Sequence, residues 1–164
     1  MIILGIDPGY GTIGYGVIEK IGSKVRPVDY GVIQTPKDEG IAVRLAILYD
    51  SMNALIKKFA PDEIAVEELF FNTNITTGIK VAEARGVLLL SAIRECGRLF
   101  EYTPLMVKQS LTGNGRADKG QVQYMVKMML NLKSVPRPDD AADGIAAAIT
   151  HIQSGVAKSE FKMK

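Results

Sequence analysis

Four acidic side chains fall where a folded chain brings carboxylates to a surface. Asp7 follows the apolar run Ile2-Ile3-Leu4-Gly5-Ile6 and precedes Pro8-Gly9, the place where a buried strand emerges into a turn. Glu67 follows Ile64-Ala65-Val66 in the same manner, with Glu68 beside it. Further on, Pro138-Asp139-Asp140-Ala141-Ala142-Asp143-Gly144 opens a helix. Asp140 and Asp143, three positions apart, share one face of that helix, with Cβ atoms about 5 to 6 Å apart. Singly, each acid has an ordinary explanation as a turn former, a helix-start charge or half of a weak capping box. Gathered, the four would repel one another strongly unless divalent cations neutralised them. Carboxylate oxygens without His or Cys suit hard ions such as Mg²⁺ or Mn²⁺. A pair of such ions roughly 3.5 to 4 Å apart is a device for in-line attack on a phosphodiester. His151, on the same helical side as Asp140 but about 16 Å along the axis, is read as structural.

The charge pattern points to a polyanion. Net charge is only +2, yet residues 104–138 hold Lys108, Arg116, Lys119, Lys127, Lys133 and Arg137 against Asp118 alone. A local basic surface of this kind suits nucleic acid. At 164 residues, with 47% hydrophobic and 23% charged side chains, the chain fits one domain and excludes a disordered, fibrous or coiled-coil class. No apolar run approaches the 18 or so residues of a membrane span. The amino terminus lacks a basic leader, so no cleaved signal peptide is expected. Cys96 is the single cysteine, which excludes an intrachain disulfide and points to a reducing, cytoplasmic setting.

The elements that must position these groups follow from periodicity. Ile2-Ile6, Gly14-Glu19 and Val25-Gln34 alternate as strands separated by turn-rich segments, an antiparallel meander. Leu45, Leu48, Tyr49, Met52, Leu55, Ile56 and Phe59 keep the helical period up to Pro61. Ile64-Ala65-Val66 reads as a buried central strand. A long helix from about Asn74 to Glu95 carries two opposite apolar faces. One holds Ile75, Ile79, Ala82, Gly86, Leu89 and Ile93; the other holds Val81, Ala84, Leu88 and Ala92. One face can pack on a sheet, and the other needs a second intrachain neighbour or a partner subunit. Leu99-Tyr102 supplies a fifth strand, the basic segment a loop and a helix near Gln121-Leu132, and Asp139-Ile152 a last helix. The order βββαβαβαα predicts an α/β fold, a five-stranded mixed sheet flanked by helices. A single domain is expected over 1–155, with 156–164 a frayed tail.

These pieces together resemble a family. Ile3-Leu4-Gly5-Ile6-Asp7-Pro8-Gly9 with Thr12-Ile13-Gly14-Tyr15-Gly16, Ala65-Val66-Glu67-Glu68-Leu69-Phe70, Ala84-Arg85-Gly86, Val107-Lys108-Gln109, Asp118-Lys119-Gly120-Gln121-Val122-Gln123, and Asp140-Ala141-Ala142-Asp143 with Ala148-Ile149-Thr150-His151 resemble the RuvC crossover junction endodeoxyribonucleases in order and spacing. The resemblance spans nearly the whole chain. It implies a ribonuclease-H-like fold, a homodimer, and Mg²⁺-dependent symmetric nicking of Holliday junctions in recombination and DNA repair. The family's metal-binding acids fall on Asp7, the bridging ligand, and on Glu67, Asp140 and Asp143, holding two Mg²⁺ ions for which Mn²⁺ is a substitute. By the same resemblance Lys108 and Lys119 contact DNA near the scissile phosphate, Phe70 enters the junction centre, and Arg116 touches the backbone. RuvA and RuvB are the implied branch-migration partners. A noncatalytic junction-binding module and an actin-like nucleotide-binding protein are the alternative readings. One Asp-x-Gly element without an internal repeat disfavours the latter, and the full set of four acids disfavours the former.

Overall fold

The computed structural model describes residues 1–69, 75–155, 159 and 161–163. Three strands, β1 (Ile2–Asp7), β2 (Thr12–Ile21) and β3 (Lys24–Gln34), form the expected antiparallel meander. Two more, β4 (Glu63–Glu67) and β5 (Leu99–Tyr102), join it in parallel on the far side of β1. The sheet order is β3-β2-β1-β4-β5, so β1, which ends in Asp7, lies at the centre beside β4, which ends in Glu67. This is a ribonuclease-H-like arrangement.

The pleat divides the core into two layers, since alternate side chains leave opposite faces of a strand. Leu4, Ile6, Ile13 and Val17 point to one face, where α1 (Ile41–Phe59) contributes Leu48, Met52 and Ile56 and α2 (Ile75–Glu95) contributes Ala84, Leu88 and Ala92. Ile3, Ala65, Phe100 and Tyr102 point to the other, under α3 (Pro104–Thr112), α4 (Lys119–Met129) and α5 (Asp139–Ser154). The two faces of α2 are thereby distinguished. The stripe with Ala84, Leu88 and Ala92 is buried against the sheet, whereas Ile79, Leu90 and Ile93 are about half exposed.

One element departs from expectation: three helices, not two, follow β5. The segment read as a loop contains α3, whose nine residues span too few turns to display a clear period. Its start is nevertheless written in Thr103-Pro104, where the Thr103 hydroxyl accepts from the Met106 amide at 3.2 Å and Pro104 takes a first-turn position that needs no amide donor. The next helix begins at Lys119 rather than near Gln121, because Asp118 and Gln121 form a capping box. Beyond Gly155, Lys162 bridges Phe100 and the Met163 amide donates to the Leu99 carbonyl, so these residues lie along the open edge of β5.

Helix α5 determines the architecture of the site. It lies on β1 and β2 closely enough that backbone meets backbone. A Cβ on Gly14 would fall 1.8 Å from the Asp140 carbonyl oxygen, and one on Gly144 would fall 2.6 Å from the Tyr15 Cα. Gly5 and Gly16 face Ala148 and Ile145 in the same way. Because Gly14 pairs with Asp7 in the β1–β2 ladder, this contact sets the start of α5 beside the end of β1. Gly14→Ala therefore forces α5 off the sheet. An overpacking cost of about 3 kcal/mol is expected in denaturant melts, with loss of the geometry at Asp140; a melt within 0.5 kcal/mol of the parent (roughly the scatter of neutral surface changes) would contradict it.

Candidate active site

The strand ends and α5 meet at one cleft. Asp7, Glu67 and Asp143 line a cavity of about 260 Å³ together with Pro104, Val107, Lys108, Lys119 and Val122. Asp140 is not part of this lining, but its charge acts on both Asp7 and Asp143. Each side chain arrives by a simple rule. Asp7 and Glu67 end adjacent parallel strands, and Glu67 shares the pleat parity of Ala65, which packs under α5. Glu68 lies one position on; its charge acts instead on Arg85 of α2. Asp139 pairs with Arg137, although its charge still reaches Asp143 and Lys119.

Burial and mutual repulsion govern the protonation of the cleft. Desolvation first, then the charges of Glu67, Asp143 and Asp140, push Asp7 up to about 8, with Lys119 opposing. Burial and Asp143 raise Glu67 to about 7, against the pull of Lys108 and Lys119. Asp143 is also raised, by burial foremost, although the Lys119 ammonium restrains it. That ammonium lies 2.8 Å from the Asp143 carboxylate. Burial pulls the Lys119 ammonium down, but Asp143, Asp139 and Asp140 outweigh this and hold it above its ordinary value. The cleft thus gathers carboxylates and sets only the Lys108 and Lys119 ammonium groups against them.

These donors fit a hard divalent ion: every candidate ligand is a carboxylate, and the repulsion among them is what such an ion relieves. The cage is unfinished, since among the described residues no group of three or more acidic, histidine or cysteine side chains is already disposed to hold a metal. Lys119 already pairs with one of these acids, Asp143. With its side chain 53% exposed, the pair with Asp143 is worth at most about 1 kcal/mol and presents a small barrier to exchange for an ion.

Lys108 sits on α3 and Lys119 at the first position of α4, so the two basic residues read from the sequence share the cleft with the acids. Arg116 does not line it; exposed in the connection between α3 and α4, its amide is held by Asn114 Oδ1. Phe70 lies outside the described residues. His151 is fully buried, with Nδ1 2.7 Å from the Tyr102 hydroxyl, Nε2 2.7 Å from Glu63 Oε2, and its ring against Phe100. It is remote from the cleft lining, as the axial distance along α5 requires. Sequence reasoning missed the apolar wall of Pro104, Val107 and Val122, which is legible only once α3 is recognised.

A central sheet whose middle strands deliver Asp7 and Glu67 to a helix carrying Asp140 and Asp143 defines a ribonuclease-H-like protein with a carboxylate-lined cleft for a hard cation. Comparison with known proteins narrows this class. The family model for crossover junction endodeoxyribonuclease RuvC matches residues 3–151. A crossover junction endodeoxyribonuclease RuvC of Alkaliphilus oremlandii is 50% identical over 164 residues, all of both chains. Its counterpart in Rubrobacter xylanophilus is 56% identical over 150 residues, 92% of this chain and 84% of its own. Among solved structures, Thermus thermophilus RuvC in complex with Holliday junction substrate aligns with a TM-score of 0.90 at 34% identity, covering 99% of this chain and 98% of that one. The chain belongs to the crossover junction endodeoxyribonuclease RuvC family. Membership over the full length displaces the actin-like and noncatalytic alternatives.

The raised acids make the ion-free protein sensitive to pH in a defined direction. Asp7 titrates near 8 when folded and near 3.8 when unfolded, so unfolding releases its proton between those values and stability falls as pH rises through that window. Asp7→Asn removes the penalty. In EDTA near pH 8 this variant is expected to melt higher than the parent, on the order of 5 °C, and the gap should close as the pH falls below the unfolded value of 3.8, where both states hold the proton; an equal melt near pH 8 would contradict the burial of Asp7.

Proposed function

We propose that this chain is a Holliday junction resolvase, cutting four-way DNA junctions by paired symmetric nicks in homologous recombination and repair. The observation that carries the reading is the cleft itself, where Asp7, Glu67 and Asp143 share one lining with Lys108 and Lys119, in a chain of the RuvC family. Asp7, Glu67, Asp140 and Asp143 are the proposed ligands of two Mg²⁺ ions, with Mn²⁺ able to replace them. When bound, such ions supply a hydrolytic nucleophile at neutral pH and charge stabilisation at the leaving oxygen.

The protein's own groups do the rest. Asp7, at the end of the central strand and under the charges of Glu67, Asp143 and Asp140, is the proposed bridging ligand, and it would hold the ions as the deprotonated carboxylate. Lys108 and Lys119 hold the DNA backbone over the cleft, the latter once it gives up Asp143, and their charge opposes the negative charge that develops on the phosphate. Arg116, on the exposed α3–α4 connection, is a further backbone contact, and Phe70 is proposed to enter the junction centre. Pro104, Val107 and Val122 limit water in the cleft and so strengthen these interactions.

Paired nicks require two sites at a fixed separation, which a two-fold dimer supplies. The exposed α2 stripe of Ile79, Leu90 and Ile93 is the proposed subunit contact, since the stripe with Ala84, Leu88 and Ala92 is spent on the core. RuvA and RuvB are the proposed branch-migration partners. Among the described residues no helix is long and apolar enough to cross a membrane, and a cytoplasmic location is proposed. Residues 1–155 are proposed as one nuclease domain.

A synthetic mobile four-way junction tests the reading. Nicks at symmetric positions are expected with Mg²⁺ and none with EDTA. Glu67→Gln and Asp140→Asn should each slow cleavage roughly a hundredfold or more while junction affinity is kept; full activity in either removes that residue from the ligand set, and no cleavage by the parent removes the function. Ile93→Asp should shift sedimentation from dimer to monomer and uncouple the two nicks.

A further inference from the structure

The helix α1 buries a stripe at four-residue spacing: Arg44, Leu48, Met52 and Ile56. Three of these are apolar and fill the core. The fourth is a cation, only 6% exposed, and among the described residues it forms no ion pair with a carboxylate. Taking a cation out of water is costly, and no counter-charge among the described residues offsets that cost here. Fold stability alone therefore favours a hydrophobe at position 44.

The guanidinium is committed elsewhere, to the turn that follows Asp7. Its Nε donates to the Thr35 hydroxyl at 2.8 Å and its Nη2 to the Tyr10 carbonyl at 3.2 Å. The Thr35 hydroxyl donates to that same carbonyl at 3.0 Å, and the Thr35 amide donates to the Gly11 carbonyl at 3.1 Å. The Arg44 Cζ also stacks 3.6 Å from the centre of the Tyr10 ring, which Lys80 approaches at 5.5 Å. Two successive carbonyls and one side chain of the 8–11 turn are thus tied to a buried pair, Arg44 and Thr35. The charges that act on Asp7 are those of Glu67, Asp143, Asp140 and Lys119; Arg44 is not among them, so its influence runs through the chain and not through its field.

We propose that Arg44, seated on Thr35, is a positioning residue for Asp7: it clamps the β1–β2 turn so that the Asp7 carboxylate is already oriented toward the other acids before a divalent ion arrives. This rests on the reading of the cleft as the nuclease's metal site. A lysine could not replace it, because one ammonium cannot both serve two acceptors in fork geometry and lie flat on the Tyr10 ring.

The test uses Arg44→Met, which completes the apolar stripe, and Thr35→Val, which removes one hydroxyl from the clamp. Three quantities are read: melting temperature in EDTA, junction affinity in EDTA, and Mn²⁺ affinity in the absence of DNA by calorimetry. Arg44→Met is expected to melt at or above the parent, to bind junction within twofold, and to bind Mn²⁺ about tenfold more weakly, the scale of lost support behind a metal ligand. Thr35→Val should move Mn²⁺ affinity in the same direction, and it decides the matter if Arg44→Met is destabilised. Unchanged Mn²⁺ affinity in both overturns the proposal, as does loss of junction binding in EDTA, which would make Arg44 a DNA contact. Failure of the parent to nick while it binds Mn²⁺ would instead overturn the nuclease reading, and the Mn²⁺ comparison would still decide the role of Arg44.

Discussion

The site depends on a helix lying directly on a sheet's backbone. Side chains normally hold helix and sheet about 10 Å apart, but Gly5, Gly14 and Gly16 on the strands and Gly144 on α5 remove that spacer. The approach is made stable by what flanks it: Ile145, Ala146 and Ile149 are buried against Ile3, Ala65 and Phe100. Apolar burial of roughly 1.5 to 3 kcal/mol per large side chain supports a contact that has no side chains of its own at the closest point. Asp140 and Asp143 reach Asp7 because of it.

The acids that result are poorly accommodated by the fold that gathers them. Asp7 and Glu67 are both pushed toward or above neutrality, by burial first and then by neighbouring acids, Glu67 acting on Asp7 and Asp143 on both, so ionising them works against stability. Lys119 and Lys108 compensate in part. In the proposed function the same two cations also hold the phosphate backbone, and so serve both the resting cleft and the substrate. Arg44 repeats the pattern on the opposite face of the sheet: a group unfavourable for packing, kept where it constrains the Asp7 turn.

Much of this was legible in the amino-acid order, for physical reasons that differ from element to element. The meander and α1 announce themselves through periods of two and 3.6. The choice between Glu67 and Glu68 turns on pleat parity, which a short strand leaves undefined until its register with β1 and β5 is known. The choice between Asp139 and Asp140 turns on an ion pair with Arg137 that local spacing does not specify. Helix α3 escaped because nine residues hardly establish a period, although its Thr-Pro start was present. The two apolar faces of α2 were visible as equals, and only tertiary packing ranked them. Arg44 was invisible as anything but a break in an apolar stripe, since its partners at Tyr10 and Thr35 come from the other side of a sheet turn.

The buried trio of His151, Tyr102 and Glu63 gives the far end of α5 a second attachment. Close glycine contacts near one end and desolvated polar bonds at the other hold α5 at both ends. The acids that α5 brings to the cleft are thereby anchored through the sheet, whereas the lysines arrive on α3 and α4, two short and separately capped segments.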